Sequence, residues 1–195
     1  MWDLLLQNIE DKNVPLTGRE KSIIREAFLY RKFRKNQYVM QQHDTARYEI
    51  FVVRGMLRTF IVDNKGTEHV LQFSPEDWWA GDLYSFFSGN PTSYSIDCLE
   101  HSEVLLITKE GLGLLYEQVP KMYAYFCKLY TNSIAAHNRR IASTLCQTAP
   151  ERYLDFRKRY PDIEQRIPNR HIASFLGITP QSLSRIRKQL VKDGN

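Results

Sequence analysis

The sequence predicts an α+β chain, because three kinds of periodicity follow one another along it. From about Phe33 to Ile107, apolar residues alternate in short runs separated by turn residues. From about Lys109 to Leu145 they recur every three or four positions. Between Asn169 and Leu190, two short segments with helical spacing flank a glycine. The first pattern suits a sandwich or barrel, the second a long helix, and the third two helices joined by a tight turn.

A chain of 195 residues with 43% hydrophobic content is long enough to bury a full core and is not disordered. No apolar run approaches the ~18 residues of a membrane span. Met1-Trp-Asp-Leu-Leu-Leu-Gln7 has no basic stretch ahead of its apolar residues, so a cytoplasmic protein is expected. Cys98, Cys127 and Cys146 form no CxxC pair, and the expectation is three buried, reduced thiols. Charge is unevenly placed. From Arg139 to Asn195 there are 12 Lys/Arg and 5 Asp/Glu, or +7, whereas residues 1–138 carry 15 and 17, or −2.

The opening thirty residues read as helices, with Leu4, Leu5 and Ile9, then Ile23, Ile24, Ala27 and Phe28, at helical spacing. Thr17 three positions before Glu20 predicts a capping box for the second. Strands are expected at Tyr38–Gln41, Tyr48–Val53, Met56–Val62, Glu68–Phe73, Ser93–Leu99 and Glu103–Ile107, rich in β-branched and aromatic residues. Arg54-Gly55 and Asp63-Asn64-Lys65-Gly66 supply turns between them. A helical stretch starts near Lys109, and Pro120 opens its long part, which carries Met122, Phe126, Leu129, Ile134, Ile141 and Leu145. That apolar length exceeds what a small barrel needs and suits a coiled-coil-like dimer seam. Ala149-Pro150 starts another helix reaching Tyr160, and Ile163 to Ile167 reads as a short strand.

The segment from Asn169 to Leu190 is the most specific. Ile172, Phe175 and Leu176 end at Gly177, where glycine tolerates the left-handed closing conformation. Thr179 offers a capping hydroxyl and Pro180 suits the first helical position. Leu183, Ile186 and Leu190 form an inner stripe, and small Ala173 allows a close helix crossing. Gln181, Ser184, Arg185 and Lys188 are left for the outer face, where glutamine can pair with adenine and arginine with guanine in the major groove. This is the pattern of a helix-turn-helix, whose second helix presents such side chains to duplex DNA. The surplus of +7 from Arg139 onward, the stretch that contains this motif, is what phosphate contact requires.

Strands with glycine turns, Gly81-Asp82-Leu83 followed by Tyr84-Ser-Phe-Phe-Ser-Gly89, a long helix and the 169–190 motif together resemble the Crp/Fnr family of transcription regulators. Glu76-Asp77-Trp78-Trp79-Ala80-Gly81-Asp82 is similar to short members common in Bacteroidetes-type bacteria. The resemblance implies an N-terminal double-stranded β-helix (a jelly-roll, cyclic-nucleotide-binding-like barrel) with flanking helices over 1–110. It further implies a dimerisation helix over 111–147 and a winged-helix-like helix-turn-helix over 148–195. Only five residues follow Leu190, too few for the β-hairpin that often succeeds a recognition helix.

The resemblance also implies partners and sites. The expected partners are a near-palindromic double-stranded DNA, a second copy of the chain and RNA polymerase, with no membrane. DNA contacts are implied at Thr179, Pro180, Gln181, Ser182, Ser184, Arg185 and Lys188. An effector pocket is implied at Gly81, Asp82, Leu83, Thr92, Ser93, Tyr94, His137 and Asn138. Asp82 stands where the family's carboxylate takes a ribose hydroxyl, and Thr92 where its arginine pairs with a cyclic phosphate. A buried phosphate without that guanidinium keeps a desolvation cost of several kcal/mol. Any small-molecule effector is therefore expected not to be cyclic AMP, and no cofactor is assigned.

The alternative from the enzyme class is a cupin-like metal-dependent protein, with His43, His69 and His101 in the strand region as candidate ligands. A cupin gathers its histidines through an HxH pair and a following glutamate, which this sequence lacks. Neither a Ser/His/Asp set, a phosphate-binding glycine loop nor a paired-carboxylate arrangement stands out. The expectation is a protein without catalytic activity.

Overall fold

Two helices open the chain, which a computed structural model describes over residues 1–192. In α1 (Trp2–Glu10), Leu5, Leu6 and Ile9 are buried on one face. In α2 (Gly18–Ala27), the Thr17 hydroxyl accepts from the Glu20 amide, and the Glu20 carboxylate accepts from the Thr17 amide. Two orphan amides of the first turn are thus satisfied, as the spacing predicts.

Eight strands follow: β1 (Leu29–Phe33), β2 (Tyr38–Met40), β3 (Glu49–Arg54), β4 (Leu57–Val62), β5 (Glu68–Ser74), β6 (Trp79–Ala80), β7 (Ser95–Cys98) and β8 (Ser102–Ile107). They form a β-sandwich of two four-stranded sheets, ordered β1-β8-β3-β6 and β2-β7-β4-β5. A short helix, α3 (Leu83–Ser88), interrupts the strands, and α4 (Lys109–Gln118) and α5 (Lys121–Cys146) follow them. Then come α6 (Ala149–Arg159), α7 (Ile163–Arg166), α8 (Asn169–Leu176) and α9 (Pro180–Lys192).

Packing divides the chain into two compact units. One comprises Met1–Ile61 and Gln72–Thr131; the other comprises Val62–Leu71 and the chain from Asn132 onward. In the first, Phe51, Ile96, Leu105, Met122, Tyr125 and Phe126 belong to one core cluster. Burial of each such side chain contributes about 1.5–3 kcal/mol. A polar chain crosses this core: Trp79 Nε1 donates to Tyr125 Oη (2.9 Å), Tyr125 Oη donates to Asn8 Oδ1 (2.6 Å), and Asn8 Nδ2 donates to Asp77 Oδ1 (2.9 Å). Every member has a partner, so the network fixes Trp79 two residues ahead of Gly81 without stranding a polar atom.

In the second unit, Tyr153, Phe156, Tyr160, Ile163, Ile172, Ala173, Leu183 and Ile186 are buried. Phe175 packs against the rings of Phe156 and Tyr160, with centroids 5.6 and 6.1 Å away.

Four expectations are corrected. Ile163 to Ile167 is not a strand: α7 occupies it, and the Ile167 amide donates to the Ile163 carbonyl. The two isoleucines lie four apart and both are buried, which is helical spacing. The opening helices stop at Ala27, where Phe28 turns extended, and edge strand β1 follows, paired with β8. The two-residue β6, which pairs with β3, was absent from the expected strands. Finally, only Cys98 is buried; Cys127 and Cys146 are exposed on α5. The expected absence of a hairpin after Leu190 reaches into positions 193–195, which lie outside the described residues. Among the described residues no helix is long and apolar enough to cross a membrane.

Candidate nucleic-acid interface and effector cassette

The outer face of α9 starts from the turn before it. Gly177 takes φ +67°, and the Ile178 amide reaches back to the Ala173 carbonyl (3.0 Å), closing α8. Thr179 Oγ1 accepts from the Ser182 amide (3.2 Å), and Pro180 opens α9. Leu183 and Ile186 are buried and Leu190 half-buried, so the opposite face of α9 is solvated. On it, Pro180, Gln181, Ser184, Arg185 and Lys188 are exposed. Ser182 is half-buried; its Oγ accepts from both Thr179 Oγ1 (3.0 Å) and Arg185 Nη2 (3.1 Å). Thr179, Ser182 and Arg185 thus form one hydrogen-bonded row, which restrains the long arginine before any ligand arrives.

At its inner side α9 is held by Arg187. Its guanidinium donates to Glu164 Oε1 (2.8 Å) and to the Tyr153 hydroxyl (3.0 Å). Arg152 donates to the carbonyls of Leu176 and Gln147. A second tie joins α5, β5 and α8 within the same unit. Arg140 donates to the carbonyls of Leu71, Val70 and Phe175, and its guanidinium lies 4.3 Å from the Phe175 ring centroid. Ser174 Oγ accepts from the Val70 amide and donates to the Glu68 carbonyl, both at 2.9 Å. One hydroxyl thus satisfies a donor and an acceptor on β5. The sequence gives Arg140 only as part of the basic count, and Ser174 gives no signal.

The cassette at Gly81-Asp82-Leu83 lies in the other unit. Asp82 is buried and N-caps α3: Oδ1 accepts from the Ser85 amide (3.1 Å) and Oδ2 accepts from Thr92 Oγ1 (2.6 Å). Thr92 is buried, and its Oγ1 also accepts from the Tyr94 amide (3.0 Å). Ser85 Oγ accepts from the Ala46 amide and donates to the Asn90 carbonyl. The two side chains assigned to a ribose and a phosphate are therefore bonded to each other. Leu83 and Tyr94 are half-buried and Ser93 is exposed. His137 and Asn138 lie on the part of α5 that belongs to the second unit, both exposed.

Glu49, which sequence reasoning missed, backs this cassette. Its carboxyl is buried, Oε1 has no partner, and a Cβ at Gly81 would stand 2.7 Å from it. Glycine at 81 therefore permits the close approach. Burial, and secondarily the Asp82 charge, pushes the Glu49 carboxyl up to about 8, so at neutral pH it is largely protonated. Tyr130 Oη is also buried without a partner, and burial followed by the Glu49 charge holds that phenol above its ordinary value.

The candidate metal ligands of the enzyme reading are placed as follows. His69 Nε2 lies 2.9 Å from Asp63 Oδ2, His101 lines a shallow depression with Lys32 and Arg54, and His43 is exposed at φ +77°. Among the described residues no group of three or more His, Cys, Asp or Glu side chains could hold a metal ion.

Residues 30–118 match the family described as the cyclic nucleotide-binding domain. No curated protein matches the sequence. Solved structures that resemble the chain include FixK2 from Bradyrhizobium japonicum, 18% identical over 86% of each chain with a TM-score of 0.73. The c-di-GMP responsive global regulator CLP of Xanthomonas campestris is 14% identical, with a TM-score of 0.72, over 91% of this chain and 93% of that one. The catabolite activator protein of Thermus thermophilus is 18% identical, with a TM-score of 0.59, over 92% and 85%. The chain therefore has the fold of these proteins, with residues 30–118 similar to a cyclic nucleotide-binding domain.

Proposed function

We propose that this chain is a dimeric, sequence-specific DNA-binding transcription regulator of the Crp/Fnr type, without catalytic activity. The observation that carries the reading is the solvated face of α9, where Gln181, Ser184 and Lys188 are exposed beside Arg185, which Ser182 already restrains. In this reading residues 1–110 form the sensor, 111–147 the dimerisation helix, and 148–195 the helix-turn-helix. Two copies of α9 meet successive major grooves about 34–36 Å apart on a near-palindromic site. Thr179, Pro180 and Ser182 place the helix end against the backbone; Gln181, Ser184 and Arg185 face bases, and Lys188 a phosphate. The protein works in the cytoplasm with RNA polymerase as a further partner.

Selection of duplexes from a random pool by the purified chain tests this, with an inverted repeat as the expected product. On the selected site, Arg185→Ala lowers the ratio of specific to non-specific affinity by ~1–3 kcal/mol at one base step. Equal losses on the selected site and on random DNA would assign Arg185 to phosphate instead.

Within the first unit, the effector pocket is assigned to Gly81, Asp82, Leu83, Thr92, Ser93 and Tyr94, and its ligand is not cyclic AMP. Both Asp82 oxygens already accept hydrogen bonds, and Thr92 supplies no positive charge for a phosphate. Calorimetric titration with cyclic AMP is expected to show no saturable heat at micromolar concentrations. Micromolar saturation abolished by Asp82→Ala would refute this.

A further inference from the structure

The second half of α5 carries an exposed aliphatic stripe. Ile134, Ile141 and Leu145 are 59%, 59% and 79% exposed. At about 100° per residue, positions 134, 138, 141 and 145 fall within about 60° of one another around the helix. The spacing of four, three and four is that of the core positions of a two-stranded coiled coil. Thr131 continues it toward the helix start, and Asn138 is the polar member in the middle.

From this we infer that Asn138 fixes the register and stoichiometry of a parallel α5 pair, with a second copy of this chain as the occupant of the stripe. The inference rests on the dimeric reading above and adds which residue sets its geometry. In a parallel, in-register pair the two Asn138 amides face each other, and the NH2 of one donates to the oxygen of the other. A shift by one core position, or an antiparallel arrangement, sets Asn138 against aliphatic side chains and strands its amide.

Charge favours the same occupant. Ala135 and Ala142 flank the stripe on one side, His137 and Thr144 on the other, and no acidic residue occurs anywhere in α5. Partial desolvation of its ring, then Arg140 and Arg159, hold His137 below its ordinary value, which disfavours a positive charge there. Arg139 and Arg140 lie about 120–140° away around the helix, and Arg140 is bonded to the carbonyls of Val70, Leu71 and Phe175. Two identical, basic units can therefore meet along this line without like charges opposing each other. A charged partner surface would find nothing on the stripe to pair with. Because Asn138 faces its own copy, its amide is not available to an effector.

The test uses the full chain and two readouts. In a background of Cys127→Ala and Cys146→Ala, Ile141→Cys is oxidised with copper–phenanthroline and oxygen; a disulfide-linked dimer is expected. By sedimentation equilibrium, Asn138→Leu is expected to tighten self-association roughly tenfold or more and to add a trimer or tetramer. A monomeric wild-type chain at micromolar concentration, a dimer whose Ile141→Cys variant does not cross-link, or an Asn138→Leu variant that stays a dimer within twofold of wild type would each overturn the inference. DNA affinity is measured in parallel. A cross-linking dimer that binds no selected DNA refutes the proposed function alone, and a DNA-binding chain that fails both assays refutes the Asn138 assignment alone.

Discussion

Glu49→Gln is expected to make the protein more stable at neutral and alkaline pH and nearly unchanged near pH 4. The Glu49 carboxyl has no partner on Oε1 and is pushed up to about 8 by burial, with Asp82 second. Its value in the folded chain thus lies above that in the unfolded chain, which is near 4.5. The unfolded chain releases this proton first. The stability held by the protonated group is complete below pH 4.5, and it is lost as pH rises through 4.5 toward about 8. The slope is roughly 1.4 kcal/mol per pH unit, so by pH 7 the loss is about 3 kcal/mol. Glutamine cannot ionise and escapes that loss. Urea unfolding of both proteins at pH 5, 6, 7 and 8 checks this. Parallel wild-type and variant curves would show that Glu49 is ionised and paired in solution.

Arg140→Ala is expected to cost about 2–4 kcal/mol, since three carbonyls lose a charged donor and the Phe175 ring loses its stacked guanidinium. Arg140→Lys retains the charge but cannot span three acceptors, so it recovers less than half of the loss. Hydrogen exchange provides the local readout. The amides of Val70 and of α8 should exchange faster in the alanine variant, because the Arg140 tie between β5 and α8 is lost while that of Ser174 remains. Unchanged protection there would show that Arg140 adds charge without holding structure.

These two residues mark where sequence reading stops. Elements set by local chemistry were legible: the Thr17–Glu20 box, the Gly177 closure and the Thr179-Pro180 start depend on neighbours within a few positions. Strand β3 was legible as a strand, but alternation could not reveal that Glu49 is buried, because Glu49, Ile50, Phe51 and Val52 are all inside. The Ile163–Ile167 segment is too short for its period to be read apart from its burial. The Asp82 and Thr92 positions emerged only through family resemblance, and that they bond to each other is a tertiary fact. Arg140 and Ser174 meet β5 across sequence separations of 69 to 106 residues, which no local pattern encodes.

The ties of Arg140, Arg152 and Arg187 bear on ionic strength. Each of these guanidiniums is already engaged by backbone carbonyls or by Glu164. Such groups release few counterions from a duplex when the protein docks. The steepness with which salt weakens association should therefore reflect a smaller set of cations than the 12 basic residues counted from Arg139 onward.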